Sequence, residues 1–151
     1  MNPLNIRELA EHDLDALLAL YAELHRADAP LPEHTRVLEI WRAMLGDPKL
    51  HCLGGFVDEV LVASCTLLIV PNLTRGCRSY GLIENVVTTA AQRRQGFGRA
   101  LLQQACELAW QHDCYKVMLM TSRKDEATTA FYESAGFDRH TKQAFNAAAP
   151  T

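Results

Sequence analysis

The spacing of apolar residues changes along the chain, and each change marks a predicted element. The segment "PLNIRELA" alternates weakly between apolar and polar positions and predicts a short first strand. After Asp13, which can cap a helix, apolar residues recur at helical spacing from Leu14 to Leu24. A second helix is predicted over residues 33–45, between the loop "DAPLP" and the stop signal "GDP". The first third of the chain therefore predicts one strand followed by two helices.

The middle of the chain has the pattern of strands. "HCLGGFV" and "LVASCTLLIV" flank a tight turn at Asp58 and Glu59 and predict a β-hairpin. "PNLTRG" follows as a loop, and "SYGLIENVVTT" predicts a third long strand. These segments predict consecutive strands of one sheet.

The last third alternates between helix and strand patterns. Apolar residues from Phe97 predict a helix to about His112, and "YKVMLMTS" predicts a strand buried on both faces. A last helix is predicted over about 126–135, closed by Gly136 in a left-handed cap, and "DRHTKQAF" predicts a closing strand. Residues 146–151 are expected to fray. The pattern predicts an α/β (α+β) fold with a mixed sheet in a single domain over residues 1–151.

The segment "RRQGFGRALL" joins the third long strand to the helix that follows and is a candidate anion site. Two glycines remove Cβ atoms where a ligand could approach, and the first N–H groups of the helix lack intrahelical partners. Arginine side chains add donors that match phosphate oxygens. The spacing excludes a nucleotide-triphosphatase loop, and Leu101 stands where a dinucleotide fingerprint needs its third glycine. We therefore expect a phosphate-bearing ligand, although a glycine turn with solubilising arginines has the same composition.

Composition narrows the classes of partner. A formal charge of −3 and a pI near 6.0 disfavour general nucleic-acid binding. No apolar run is long enough to span a membrane and no secretory signal is visible, so we expect a cytoplasmic protein with no membrane partner. The five cysteines form no CxxC pair and the histidines form no HExxH motif, so we expect neither disulfides nor a metal site.

Residues 93–98 fit the signature Gln or Arg, two residues, Gly, one residue, Gly or Ala. With "IENVVTT" before them, "DCYKVMLMTS" after them and "FYESAGF" later, the chain resembles the GNAT acyltransferases, which use acetyl-CoA to acetylate amines. Within this family, the motifs are most similar to those of the glucosamine-6-phosphate N-acetyltransferase type and of small bacterial acetyltransferases of unassigned substrate. The resemblance implies a sheet of about 6–7 strands flanked by about 4 helices.

The resemblance also implies a coenzyme site. Backbone N–H groups of the glycine loop (residues 93–98) would hold the pyrophosphate, and a splayed strand before it would bind the pantetheine arm. The loop residues with this implied role are Arg93, Arg94, Gln95, Gly96, Phe97 and Gly98, with added charge from Arg99. The implied strand residues are Val86, Val87 and Thr88. Many relatives add an asparagine contact, in whose region Asp125 or Thr128 stands here.

Two residues are candidates for catalysis. The resemblance makes Tyr132 the acid that protonates the departing thiolate, whereas its other interpretation is a tyrosine packed in the core. Glu84 is the candidate for binding or deprotonating the amine, directly or through water, and its other interpretation is an ion pair with Arg75 or Arg78. Asn85 replaces the aspartate of the glucosamine-phosphate type, which leaves the acceptor open.

The expected reaction is direct attack of an amine on acetyl-CoA, because no cysteine has a nearby histidine in sequence or the placement expected of a nucleophile. We expect a small-molecule acceptor, with His25, Asp28, Glu33 and Arg75 as candidate contacts. Two alternatives remain open at this point: a non-catalytic acetyl-CoA sensor, and acetylation of a protein or peptide amine. The resemblance also makes a homodimer an expectation.

Overall fold

The computed structural model describes residues 2–151 and contains a mixed sheet of five strands in the order β1-β2-β3-β4-β5. The strands are β1 (Asn5–Glu8), β2 (Leu50–Val57), β3 (Val60–Val70), β4 (Tyr80–Thr88) and β5 (Val117–Leu119). The first four are antiparallel neighbours, whereas β5 runs parallel to β4. The mixed α/β sheet is confirmed, and the expected count of about 6–7 strands is too high.

Four longer helices lie where the sequence predicts them. They are α1 (Leu14–Leu24), α2 (His34–Gly46), α4 (Phe97–Gln111) and α5 (Glu126–Ser134). A short turn, α3 (Thr74–Cys77), lies in the predicted "PNLTRG" loop, and its last three residues have positive φ angles of 56°, 71° and 61°. In residues 2–151 no helix combines the length and the apolar character that crossing a membrane requires.

The sheet separates two hydrophobic cores. The core on one face packs α4 against the central strands and includes the fully buried Leu67, Ile83 and Leu101. The core on the other face packs α1 and α2 and includes Trp41 and Val87. Ile83 and Val87 both belong to β4, so this strand is covered on both faces and has a fixed position between the helices.

The β2–β3 hairpin forms as predicted. Its two turn residues, Asp58 and Glu59, have φ angles of 48° and 64°. A two-residue turn with both φ angles positive matches the twist of the strands that it joins. The "DE" turn therefore joins β2 and β3 although neither residue is a glycine.

Asp13 does not cap α1 as predicted. Its carboxylate instead turns back to accept from the Arg7 guanidinium at 2.7 and 3.0 Å and from the Ala10 N–H at 2.7 Å. The Arg7 group also lies 4.0 Å from the centre of the Phe56 ring. This buried carboxylate therefore connects β1 to the turn before α1, and hydrogen bonding from Arg7 holds its pKa below its usual range.

Replacing Asp13 by Asn is expected to lower the free energy of unfolding by about 2 kcal/mol at neutral pH, because Arg7 and Ala10 lose a charged acceptor. A lowered folded-state pKa makes this contribution present above roughly pH 4 and lost as the pH falls through the folded-state value. Urea unfolding should show the difference from the unchanged protein shrinking as the pH falls below about 4. Glu11→Gln, which removes the exposed pair with Arg42, is the control and should cost much less, because solvent screens an exposed pair. An equal effect of both variants would contradict the prediction.

Strand β5 is shorter and more exposed than predicted. It pairs with β4 only from Gly81 to Ile83, and Val117, Met118 and Leu119 are each half-buried. Met120, the next residue, is 53% exposed. The apolar run "YKVMLMTS" therefore does not form a long strand buried on both faces, because β4 offers no further partner beyond Ile83.

The predicted closing strand "DRHTKQAF" is not formed. Asp138 accepts a hydrogen bond from the His140 N–H at 2.7 Å, and Arg139 forms ion pairs with Glu126 and Glu133 of α5. The segment therefore starts with a turn over α5 instead of adding to β5. It has few apolar residues to bury, and Phe145 is 90% exposed.

Candidate active site

Strand β4 carries a bulge at its middle. Thr66 of β3 pairs with Glu84, but Ser64 pairs with Val87, so two residues of β4, Asn85 and Val86, lie opposite one residue of β3. Asn85 has a φ of 54°, in the left-handed region that asparagine tolerates better than most side chains. The bulge bends β4 at this point, and we infer that it helps to turn the strand away from β5.

Beyond Ile83 and Leu119 the two parallel strands part, and we call this space the β4–β5 gap. The Thr89 N–H donates to the Val62 carbonyl of β3 at 2.8 Å. Successive residues of an antiparallel strand direct their backbone N–H and C=O groups to opposite edges, so those of Val87, two residues earlier, also point toward β3. The backbone groups of Thr88 then point to the opposite edge, toward the β4–β5 gap. Val86, Val87 and Thr88 thus lie on the splayed strand that the resemblance implies.

The glycine loop leads directly into α4. Gly96 precedes the helix with a φ of 79°, and Arg94 has a φ of 62°. The first helical bond runs from the Ala100 N–H to the Gly96 carbonyl at 3.0 Å, so the N–H groups of Phe97, Gly98 and Arg99 have no intrahelical acceptor. The start of α4 therefore offers free donors and the positive end of a fifteen-residue helix.

Gly98 allows the helix start to lie close to the strand. A Cβ at this position would lie 3.0 Å from both the Phe131 ring and the Thr88 hydroxyl. The side chain of Phe97 is buried, whereas Arg93, Arg94, Gln95 and Arg99 are exposed. Arg93 donates to the Thr88 carbonyl at 3.3 Å, and within residues 2–151 none of these three arginines has a carboxylate in an ion pair. The loop is therefore a cationic surface with its charge available.

A contact that the sequence did not predict connects α1 to the chain before this loop. The Glu23 carboxylate accepts from the Ala90 N–H at 2.9 Å and from the Thr89 hydroxyl at 2.8 Å. Hydrogen bonding from Ala90 and then Thr89 lowers the pKa of Glu23. The negatively charged Glu23 carboxylate therefore fixes the residues between β4 and the glycine loop against α1.

Tyr132 is held by the end of α5. Gly136 has a φ of 100°, the Phe137 N–H bonds to the Tyr132 carbonyl at 3.2 Å, and the Gly136 N–H bonds to the Glu133 carbonyl at 3.0 Å. This pair of bonds is a Schellman motif, which brings the residue after the glycine back over the last helical turn. The Phe137 and Phe131 ring centres lie 6.5 and 5.0 Å from that of Tyr132. The predicted left-handed cap is thus confirmed, and it helps to orient the tyrosine ring.

Tyr132 is half-buried and packs against the core, as expected for a tyrosine with a packing role. Burial raises the pKa of its hydroxyl, the Arg123 charge opposes that shift, and the charges of Cys65 and Glu84 add to it. A phenol with a raised pKa stays protonated at physiological pH and is suited to donate a proton.

Glu84 is exposed, and within residues 2–151 it forms no hydrogen bond or ion pair. The predicted alternative, a structural pair with Arg75 or Arg78, is wrong. Arg78 pairs with Asp113 at 3.0 Å, and Arg75 lies 5.6 Å from the Tyr115 ring centre, near the start of β5. The Glu84 carboxylate is therefore free to contact a ligand.

The cysteines do not have the environment of a nucleophile. Burial raises the pKa of Cys65 to about 12 and that of Cys106 to about 11, and it also raises the pKa of Cys52 and Cys114. A thiolate is the reactive form, so these four thiols are inert at neutral pH. Cys77 is exposed in α3, on the loop at the end of β4 opposite to the glycine loop.

The other candidate residues lie outside this cluster. His25, Asp28 and Glu33 are exposed on the segment between α1 and α2, and Arg75 belongs to the far end of β4. Asp125 accepts from the Thr128 N–H at 3.0 Å and caps α5, so these two residues bind each other. Glu84 thus lies directly beyond the last β4–β5 pair and the glycine loop follows the end of β4, whereas Arg75 lies before the start of that strand.

Comparisons with known proteins identify a family and several relatives. Residues 14–137 match the Acetyltransferase (GNAT) family. The chain is 34% identical to a glucosamine 6-phosphate N-acetyltransferase of Trypanosoma brucei brucei over 148 residues, which cover 93% of this chain and 92% of the relative.

Two solved structures share both fold and sequence similarity with the chain. A putative acetyltransferase from Agrobacterium tumefaciens str. C58 is 43% identical with a TM-score of 0.90, covering 96% of this chain and 99% of that protein. A Trypanosoma brucei acetyltransferase is 32% identical with a TM-score of 0.76, covering 97% and 100%. With its bulged β4, its open β4–β5 gap and its glycine loop, the chain belongs to the GNAT family of acetyltransferases.

Proposed function

We propose that this enzyme transfers the acetyl group of acetyl-CoA to the primary amine of a small molecule by direct attack. Tyr132 acts as the acid and Glu84 as the base. The observation that carries this proposal is the exposed, unpaired Glu84 carboxylate on β4, directly beyond the last β4–β5 pair. Together, Tyr132 and Glu84 supply a proton donor and a proton acceptor on the two sides of one reaction centre.

The coenzyme would lie along the β4–β5 gap with its pyrophosphate at the glycine loop. The free N–H groups of Phe97, Gly98 and Arg99 are donors for phosphate oxygens, and the exposed arginines add charge. Gly98 lets these N–H groups lie close to Thr88 at the end of β4, because a Cβ there would be 3.0 Å from the Thr88 hydroxyl. Backbone groups of Val86 and Thr88 on the open edge would bind the pantetheine amides.

Acetyl-CoA supplies the acetyl group as a thioester. The amine nitrogen forms a bond to the carbonyl carbon, the carbon–sulfur bond breaks, and the sulfur leaves as a thiolate. Tyr132 gives its phenolic proton to that thiolate, and Glu84 takes a proton from the amine, so the charges balance over the reaction. The inert cysteines support transfer without a covalent enzyme intermediate.

The first acceptor class to test is an aminosugar phosphate, because a relative with 34% identity is a glucosamine 6-phosphate N-acetyltransferase. Asn85 is a reason to include other amines. The protein should be incubated with acetyl-CoA and separate panels of aminosugar phosphates, aminosugars, polyamines, amino acids and short peptides, with products identified by mass. Tyr132→Phe should be run as the matched control for background transfer. An acetylated peptide would point to a protein acceptor, and no product in any panel would favour a sensor and contradict the proposed transfer.

Replacing Gly96 by Ala is expected to weaken coenzyme A binding about fivefold, because a left-handed backbone at a non-glycine residue costs roughly 1 kcal/mol. In the free protein the loop can relax from this strain, whereas the coenzyme-bound loop must return to the left-handed backbone conformation at residue 96. Gly76→Ala is the matched control, since Gly76 also has a positive φ and no atom within 4 Å of a Cβ, yet it lies at the other end of β4. Titration calorimetry should separate the two variants, and equal affinities for both would argue against this loop as the pyrophosphate site.

A further inference from the structure

The short turn Ala90–Gln92 joins the two parts of the proposed coenzyme site. Before it lies Thr88, whose backbone groups face the β4–β5 gap, and after it lies the glycine loop. Ala90 and Ala91 are exposed, and no residue of the turn belongs to either hydrophobic core. The position of this turn therefore depends on polar contacts.

These polar contacts come from two directions. Within the segment, the Gln92 N–H donates to the Thr89 carbonyl at 3.0 Å, and the Gln95 amide donates to that of Gln92 at 2.9 Å. From outside the segment, the Glu23 carboxylate of α1 accepts from the Ala90 N–H with one oxygen and from the Thr89 hydroxyl with the other. Because α1 is packed into a hydrophobic core, Glu23 ties the turn to a fixed element.

The Glu23 carboxylate serves this contact and not the helix that carries it. Glu23 is the last but one residue of α1, where a negative charge lies at the negative end of the helix dipole. The charged groups that face it are Arg93 and Arg26, which add to the hydrogen bonds in lowering its pKa. Since Glu23 is exposed, water screens these charges, and the two hydrogen bonds are the main contact.

We propose that Glu23 is a positioning residue for the coenzyme, which holds the glycine loop at a fixed distance from the edge of β4 before acetyl-CoA binds. The pantetheine arm would bind at Thr88 and the pyrophosphate at the loop, so one ligand must fit both parts at once. A turn that is fixed in advance avoids the entropy loss of ordering it on binding. The inference rests on the proposed function, and it assigns Glu23 to coenzyme affinity and not to the transfer step.

Glu23→Ala is expected to weaken coenzyme A binding about tenfold in titration calorimetry, because it removes both acceptors. Glu23→Gln should stay within about threefold of the unchanged protein, since its amide can accept from Ala90 and donate to Thr89. Asp15→Ala is the matched control and should bind normally, because Asp15 is an exposed acid at the other end of α1. The melting temperature of Glu23→Ala should stay close to that of the unchanged protein, because losing the contact is offset by removing an acid from an unfavourable helix end.

A shortened donor separates positioning from a general defect. S-acetylpantetheine carries the thioester and the pantetheine arm but no pyrophosphate, so it does not use the glycine loop. Glu23→Ala should therefore raise the KM for acetyl-CoA about tenfold at unchanged kcat, and leave kcat/KM for S-acetylpantetheine within about twofold. The deficit with acetyl-CoA should be equal at pH 7 and pH 9, because Glu23 is charged at both, whereas a deficit in proton transfer would shrink.

The outcomes for Glu23 and for the proposed function are distinguishable. An unchanged affinity for coenzyme A in Glu23→Ala, or an equal loss with both donors, would overturn the inference alone. If the unchanged protein binds coenzyme A but transfers no acetyl group, the proposed transfer fails and calorimetry alone decides the role of Glu23. If the unchanged protein does not bind coenzyme A, the proposed function and this inference fail together.

Discussion

Tyr132→Phe should reduce turnover about 100-fold while the dissociation constant of coenzyme A stays within about twofold. The phenylalanine ring can keep the contacts with Phe131 and Phe137, so the variant removes only the hydroxyl. The lost step is protonation of the thiolate, which the raised pKa of Tyr132 keeps available at physiological pH. Steady-state kinetics for turnover and calorimetry for coenzyme binding measure the two effects separately.

Tyr115→Phe is the matched control, because Tyr115 lies beside Arg75 and Lys116 at the far end of β4. This variant should retain the turnover of the unchanged protein. If Tyr132→Phe also retained it, the hydroxyl would have no acid role and the tyrosine would serve packing alone. A parallel loss of turnover and coenzyme affinity would instead mean that the hydroxyl binds the coenzyme.

The second large effect is expected from Glu84→Gln, which should lower kcat/KM for the acceptor about 100-fold at pH 7. An alkylamine with a pKa near 10.4 is neutral in only roughly one molecule in a few thousand at this pH, equivalent to about 4–5 kcal/mol of barrier. The glutamine cannot take the proton, so the profile should lose its low-pH limb and the deficit should shrink as the pH rises. The measurement is kcat/KM from about pH 6 to pH 10.

Glu107→Gln is the control for this variant, because Glu107 is an exposed glutamate on α4 outside the site. It should not alter the pH profile. An unchanged low-pH limb in Glu84→Gln would place the base elsewhere. Since Glu84 has no ion pair to lose, we expect both variants to unfold at the same urea concentration as the unchanged protein.

The parts of the fold that can be predicted well are those that depend on residues close together in the sequence. Helix α4 follows from its apolar spacing and begins at Phe97 as predicted, directly after Gly96. Gly136 in its left-handed cap follows from local backbone preference. The resemblance places Tyr132 and Glu84 in one site, and this remains a prediction.

The errors concern contacts between distant parts of the chain. Asp13 is a residue type that commonly caps helices, but its carboxylate instead accepts hydrogen bonds from Arg7, a partner that helical spacing does not reveal. The run at 115–122 has strand composition, yet its length in the sheet is set by where β4 bends at Asn85. Tyr21 fits a core stripe, and only the fold shows that Thr66 lies within its reach. Single residues carry no local signal for such partners.

The parallel pairing of β4 with β5 has a consequence for the order in which the protein forms. Strands β2, β3 and β4 follow one another closely in the chain and pair in that order, whereas β5 reaches β4 only after α4 and pairs with it through three residues. Loop closure over such a distance is slower, and so short a ladder adds little cooperativity. We therefore expect strands β2, β3 and β4 to form first and β5 to dock later, so the boundary between the two parts lies at the β4–β5 gap. A ligand that bridges this boundary would join the last part of the chain to the rest, so binding and completion of folding are thermodynamically linked there.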